Sequence, residues 1–449
     1  MEKIQDYRRG GATENSVPAY PANPQAATKN SNSKTARAVA AASIGNALEW
    51  YDFSVFAFFA SYIGHSFFVD GNEVSALIST FLVFAVGFIA RPIGALYLGS
   101  YGDRVGRKAA LTLTIGIMAV GTLIIAIAPP VWMIGVGAPI LLLAGRLLQG
   151  FSAGGEIGGA TAFLVESAPV EKRASYAAWL QASMGVSNIL AAFMGMMITT
   201  YFDDATISLW AWRIPFVVGL LIVPLGYYIR RTLDETPEFE AQKQNQSIDK
   251  KPLLDIVRLY PRHMILGVLF SILWTVCVYV LVIYMPTYYA SPVIGLGFSR
   301  NQAFTASLLG NIFMVIGCVF AGRLADHIGA SKVLRTGCVT LMFISWPLLT
   351  WLHHSPTMTN LIIVQILHCF AVSLFAGVAP SALAQLFPIQ VRSSGMAVSY
   401  NIAAIFFAGF TPALMTWATT VDVMAPSYYM FIASAIGLLA TIGMYRLKR

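Results

Sequence analysis

The sequence predicts an all-α polytopic membrane protein with 12 transmembrane helices in two pseudo-symmetric six-helix bundles. Three observations predict it. Lys and Arg number 29 and Asp and Glu 21 among 449 residues, 11% together, against about 25% in soluble proteins, while apolar residues reach 57% and mean hydropathy is +0.67. Apolar runs recur along the chain, each long enough to cross a hydrocarbon layer of about 30 Å as a helix. A loop pattern in the first half returns in the second: Gly99, Asp103 and Gly106 match Gly322, Asp326 and Gly329, each 223 positions later. A soluble multidomain enzyme is excluded by the first observation, and near-average Gly and Pro exclude collagen-like and low-complexity chains. Cys277, Cys318, Cys338 and Cys369 lie singly in apolar runs without zinc-ligand spacing, so neither a disulfide framework nor a metal site is expected.

Residues 1–36 are polar, rich in Asn, Pro, Ser and Thr, and lack an apolar signal core, which reads as a disordered cytoplasmic tail. The twelve expected spans are 38–62, 75–99, 110–128, 133–165, 174–201, 210–230, 263–289, 302–322, 333–352, 359–386, 393–417 and 426–446. The polar stretch 231–262 separates an N-terminal bundle, 37–230, from a C-terminal one, 263–449. Assigning the tail and alternate loops to one side places all but four of the 29 basic residues there, the exceptions being Arg91, Arg146, Arg213 and Arg300. The positive-inside rule then predicts both termini and the linker in the cytoplasm of a bacterial-type inner membrane. The net charge of +8 is thereby a topology signal and not a nucleic-acid footprint.

Within the spans, ionisable residues are costly and mark function by position. Glu49 and Asp52 stand one helical turn apart in GNALEWYDF, roughly 18 Å of rise beyond Arg37. Arg91 precedes Pro92 in the second span and needs a carboxylate, a carbonyl or an anion, Glu49 or Asp52 being the internal candidates. The fourth span carries RLLQGFSAGGEIGG, in which Arg146, Gln149 and Glu156 share a polar stripe beside glycines suited to close packing. A protonatable carboxylate near a fixed arginine is a switch, because an arriving anion competes for the cation and changes the carboxylate's proton affinity. Gln181 and Asn188 follow in the fifth span, and Tyr279, Tyr284, Asn311, Gln365, His368, Tyr400 and Asn401 are the polar content of a second half almost free of membrane charge. Proton and anion chemistry is expected in the first half and shape selection in the second. Motifs for nucleotide, zinc or acyl-enzyme chemistry do not occur, so no enzyme and no cofactor is expected.

The stretch GSYGDRVGRK at 99–108 resembles the signature loop of the major facilitator superfamily. Together with EWYDF at 49–53, GRLLQGFSAGGE at 145–156, WRIPF at 212–216 and DETPEF at 234–239, it resembles the superfamily's metabolite:proton symporters, a branch that includes α-ketoglutarate, citrate and tricarballylate, shikimate and proline/betaine carriers. FFASYIGHSFF at 58–68 looks most like the citrate and tricarballylate members, although Trp50 stands where those tend to have Gln. The resemblance implies the major facilitator fold, a proton-coupling role for the R-x-x-Q-G element at Arg146, and gating by Gly99, Asp103, Arg104, Gly106, Arg107 and Lys108, with Asp326 as the second copy. The fifth span lacks the Gly-Pro pair of facilitator antiporters, which tilts the expectation to symport. The expected function is import of a small di- or tricarboxylate with protons, by a monomer in the lipid bilayer that uses the proton gradient alone. Arg91, Arg146, Gln149, Gln181, Asn188, Tyr279, Tyr284 and Asn401 would bind the anion, and Glu49, Asp52 and Glu156 the proton. The alternatives are a zwitterion such as proline or betaine, another acid such as shikimate, and, remotely, a non-transporting sensor.

Overall fold

The computed structural model describes residues 46–47, 49–68, 72–105, 107–154, 161, 164–165, 168–232, 258–388 and 391–447. The expected tail 1–36 and most of the linker, 233–257, lie outside the described residues. Within them no strand occurs, and helices match the twelve expected spans in order. These are α1 (49–67, with a turn at Phe59), α2 (Glu73–Val105), α3 (Arg107–Ile127), α4 (Gly137–Ala153), α5 (Arg173–Tyr201), α6 (Ile214–Thr232), α7 (Pro261–Ala290), α8 (Arg300–Ile328), α9 (Ala330–His354), α10 (Met358–Ala384), α11 (Arg392–Val421) and α12 (Ala425–Leu447). Eight of them are long and apolar enough to cross a membrane by length and composition. In hydrocarbon every backbone polar group must be satisfied within the segment, which leaves the helix as the form these apolar runs can take.

Helix ends follow local chemistry. Ser299 caps α8 in a reciprocal box with Gln302, and the Thr357 hydroxyl accepts the Asn360 N–H at the start of α10. Between α8 and α9 the chain turns at Gly329 with φ 97°, a conformation that favours glycine. Within the fourth expected span, 133–165, α4 starts at Gly137, after the short helix Val131–Ile134, and runs to Ala153, and the described residues 161, 164 and 165 beyond it are helical. Apolar composition continues through all of these pieces and conceals the breaks between them.

Large side chains such as Leu221, Leu439 and Val421, more than 70% exposed, stand outside the bundle where lipid would cover them, while the polar side chains of the spans turn inward. Glycine makes the innermost contact. A Cβ on Gly150 would stand 1.8 Å from the Gly87 carbonyl oxygen, one on Gly94 1.8 Å from that of Phe151, and one on Gly154 1.9 Å from that of Arg91. α2 and α4 therefore touch backbone to backbone, as small residues permit in membranes, and this seam sets Arg91 beside the helix that carries Arg146. Gly150→Ala is expected to destabilise the protein by at least the upper end of the roughly 1–3 kcal/mol that overpacking costs. Gly116→Ala, where an added Cβ meets nothing within 4 Å, is the neutral comparison. Thermal melting of the two purified variants in detergent checks the difference.

α5 and α8 join the expected halves along their length. Cβ atoms on Gly185, Gly195 and Gly322 would each come within 2.7 Å of Val315, Phe304 and Ala178, respectively. Near the start of α8, the Asn301 amide donates to the Met196 carbonyl at 3.1 Å and to Thr200 Oγ1 at 2.8 Å.

Candidate functional site

The scarce membrane charges converge. Helical spacing puts Glu49, Asp52, Phe53 and Phe56 on neighbouring turns of α1, and Phe84, Phe88 and Arg91 on successive turns of α2. Arg91 and Arg146 are almost fully buried, at 1% and 0% exposure, and both guanidiniums contact the ring of Phe53, at 4.6 and 4.4 Å from its centroid. Arg91 also lies over Phe88 at 4.3 Å and Trp50 at 5.2 Å, and Arg146 over Phe56 at 4.5 Å and Phe84 at 4.8 Å. Each desolvated cation–ring contact contributes up to about 2 kcal/mol, which helps offset the roughly 2.5–3.5 kcal/mol penalty of an arginine at mid-membrane. Rings cannot accept the guanidinium hydrogens as carboxylates do. Nε and Nη1 of Arg91, and Nε and Nη2 of Arg146, have no hydrogen-bond partner. Beside any carboxylate, the faces of Phe53 and Trp50, which flank Asp52 on α1, line the Arg91 guanidinium.

Arg146 reaches Asp52 through two intermediates. Its Nη1 donates to Gln149 Oε1 at 2.7 Å, Gln149 Nε2 donates to Thr122 Oγ1 at 3.0 Å, and the Thr122 hydroxyl donates to Asp52 Oδ2. Every member is buried, Asp52 at 5% and the others at 0–1%. Gly219 of α6 backs the carboxylate, since a Cβ there would stand 2.8 Å from Asp52 Oδ1. Tyr51, beside Asp52 on α1, is held away by donating to the Pro215 carbonyl at 3.0 Å.

The second half supplies polar aromatics. Tyr279, 1% exposed and with an unpartnered hydroxyl, lies 5.5 Å from Phe88 and 6.3 Å from Trp50 by ring centroids. Trp274 donates to Gln181 Oε1 at 2.9 Å and stacks edge-on against Tyr400 at 4.9 Å, a link between α5 of the first half and α7 and α11 of the second. Two π-helical turns, Tyr279–Tyr284 in α7 and Ile405–Gly409 in α11, face α2 here: a Cβ on Gly409 would lie 3.2 Å from Phe88 Cβ. Such turns recur at functional sites because they redirect side chains within a helix.

Among the other expected site residues, Asn188 and Tyr284 have hydrogen-bond partners of their own. Asn188 accepts the Ser54 hydroxyl at 2.5 Å, and Tyr284 shares a hydrogen bond with Thr419 at 3.0 Å. Asn401 is buried on α11, and both ring nitrogens of buried His368 lack a partner. Glu49 is buried and is an electrostatic neighbour of Tyr279. Glu156 and Gly106 lie outside the described residues, as do the side chains of Asp103, Arg104, Arg107 and Lys108; in place of the loop expected from Gly99, α2 continues through Gly99, Asp103 and Arg104 to Val105, and Arg107 and Lys108 open α3.

Asp326 grips the other half. Near the end of α8 its Oδ1 accepts the Ala174 N–H at 3.0 Å and its Oδ2 the Ser175 N–H at 2.9 Å and the Ser175 hydroxyl, so a carboxylate caps the positive N-terminus of α5. At the opposite end of α8, Arg300 Nη2 donates to Ser61 Oγ at 2.9 Å. The guanidinium lies 4.5 Å over Tyr62 and within 4.0 Å of Glu73 and Asp204. Sequence reasoning marked Arg300 only as an exception to the charge rule. Thr122 and the phenylalanine walls were missed altogether, since a threonine or phenylalanine in an apolar span has no signal of its own.

Comparison with known proteins agrees with this fold. A model of the Major Facilitator Superfamily matches residues 42–398. The chain is 37% identical over 404 residues to the citrate-proton symporter of Klebsiella pneumoniae, covering 90% of each chain. It is 35% identical to that of Salmonella typhi, covering 90% of this chain and 93% of the relative. A Staphylococcus aureus (strain COL) protein named for proline/betaine transport is 36% identical, with 90% and 87% covered. A proton:xylose symporter structure with a bound bromodeoxyglucose superposes with a TM-score of 0.74 at 18% identity, covering 93% of this chain and 96% of that one. The E. coli xylose transporter in a partially occluded inward-open form gives 0.73 at 17%, covering 93% and 98%. The fold is therefore the major facilitator fold, with helices built to span a membrane many times, and the chain belongs to the Major Facilitator Superfamily.

Proposed function

We propose that the protein imports a small di- or tricarboxylate together with protons, by alternating access. The observation that carries this reading is the set of four unpartnered guanidinium hydrogen-bond donors on Arg91 and Arg146, held in an aromatic box. Each buried unsatisfied donor costs about 1–3 kcal/mol, a cost that a carboxylate entering the box removes by accepting two parallel hydrogen bonds from one fork. The free Tyr279 hydroxyl adds a donor on the side of the second half. Citrate carriers among the relatives fit such a box.

Charge balance supplies the coupling. Two buried cations, Arg91 and Arg146, stand near two buried carboxylates, Glu49 and Asp52. An added polyanion leaves an excess of negative charge where, at an effective dielectric constant of 20, one pair of charges 4 Å apart interacts by about 4 kcal/mol. Each proton taken by Asp52 or Glu49 lowers that excess by one charge, so anion and proton enter together. The grip of Asp326 on α5 serves as the gate on the side assigned to the cytoplasm, with the 99–108 loop as its counterpart, and Arg300 as the gate opposite. The site needs no cofactor, and the protein acts as a monomer in a bacterial inner membrane with both termini in the cytoplasm.

Proteoliposome uptake of labelled citrate and α-ketoglutarate, with and without an inward proton gradient, tests this. Accumulation that rises with the gradient is expected, and uptake indifferent to it overturns the coupling. The identity to a protein named for proline/betaine transport makes a zwitterion the competing cargo. Labelled proline taken up without competition from carboxylates would favour that reading.

A further inference from the structure

We infer that Thr122 is the pivot on which Asp52 gains and loses its proton while Gln149 keeps Arg146 in place. The inference rests on the proposed proton-coupled symport and assigns a positioning role to a residue on α3. The Thr122 hydroxyl has one hydrogen and two acceptors within reach: Asp52 Oδ2, and the Met118 carbonyl oxygen at 3.0 Å. Its oxygen also accepts from Gln149 Nε2 at 3.0 Å.

With Asp52 ionised, Thr122 donates to the carboxylate and accepts from Gln149. When Asp52 takes a proton on Oδ2, the new O–H donates to Thr122 Oγ1 and the Thr122 hydrogen rotates to Met118. The threonine oxygen then uses both lone pairs, one for Asp52 and one for Gln149. No covalent bond of Thr122 forms or breaks, and the only proton exchanged is the one Asp52 binds. In neither state is a buried polar group of the chain Asp52–Thr122–Gln149 orphaned, whereas a group with a single acceptor would leave one unmade in one of the two states. Gln149 Oε1 keeps facing Arg146 Nη1 throughout. The two free donors of Arg146 thus stay aimed at the anion whether or not the proton is aboard.

The charged and titratable groups around Asp52 are few. Arg146 faces it from α4, with Arg91 of α2 and Tyr279 of α7 beside that arginine, Tyr51 adjoins it on α1, and Glu49 lies one turn away on the same helix. α6 presents Gly219. None of these offers a hydroxyl with alternative acceptors next to the carboxylate.

The test compares Thr122→Val, which keeps the shape and removes the hydroxyl, with Thr122→Ser, which restores it. In proteoliposomes with labelled citrate, Thr122→Val should lose about tenfold in gradient-driven accumulation, lose less than that in exchange counterflow, and displace the pH profile of net uptake. Thr122→Ser should recover all three, and Thr122→Ala should repeat the valine result if the valine protein does not assemble. A valine variant that accumulates citrate with the wild-type pH profile overturns the pivot alone. Loss of counterflow and accumulation in equal measure, unrescued by serine, also overturns it, by showing a packing role. Wild-type protein indifferent to the gradient would overturn the pivot and the symport reading together.

Discussion

Arg146→Gln is expected to abolish saturable anion uptake over the usual substrate range. The substitution removes one of the two cations in the box and the fork whose Nε and Nη2 await acceptors. Removing one member of a buried charge-assisted pair costs about 2–5 kcal/mol or more, which corresponds to a loss of affinity of roughly one and a half to three and a half orders of magnitude at 1.4 kcal/mol per tenfold. Arg146→Lys should recover part of it, because an ammonium keeps the charge but not the planar fork. The lysine variant also shortens the reach to Gln149, so it should disturb coupling more than binding. Binding of labelled citrate to the purified variants by scintillation proximity separates affinity from turnover. A glutamine variant that binds citrate as wild type does would remove Arg146 from the site.

The sequence exposed what is rare and hid what is common. Against a charge content of 11%, Glu49, Asp52, Arg91 and Arg146 are conspicuous, and the structure brings all four into one buried region. Their surroundings were invisible because they use residues every apolar span contains. Phe53, Phe56, Phe84 and Phe88 look like lipid-facing or core residues until the α2–α4 glycine seam sets both arginines against their rings. Thr122 in TLTIGIMAVGTLIIAI is one of several threonines on its helix, and only the depth and facing of α3 select it. The π-helical turn at YVLVIY has the composition of the straight helix on either side. Asp326 was legible as a repeat of Asp103, but its role as the cap of α5 depends on a packing partner 151 residues away. Fold class is a property of composition and period, whereas a site is a property of which faces meet.

Asp52→Asn is expected to separate binding from accumulation. Asparagine has nearly the shape of aspartate, and its carbonyl can still accept the Thr122 hydroxyl, so the chain to Gln149 and Arg146 survives. What it loses is the ability to carry a proton. The variant resembles a permanently protonated site, which already offers the neutral partner that an entering anion requires. Counterflow of labelled citrate between loaded and unloaded vesicles should therefore persist. Uphill accumulation should collapse, since each unit of pH gradient supplies about 1.36 kcal/mol per coupled proton, a tenfold concentration ratio, only if a group on the protein binds and releases that proton in each cycle. Glu49 is the control, being buried on the same helix one turn away. Glu49→Gln should lower accumulation less than Asp52→Asn does, because Asp52 is tied by hydrogen bonds through Thr122 and Gln149 to Arg146, whose free donors face the anion. The reverse ranking, with Glu49→Gln uncoupled and Asp52→Asn still accumulating, would move the proton to Glu49. The Asp52 chain would then be a scaffold for Arg146 and not the path of exchange.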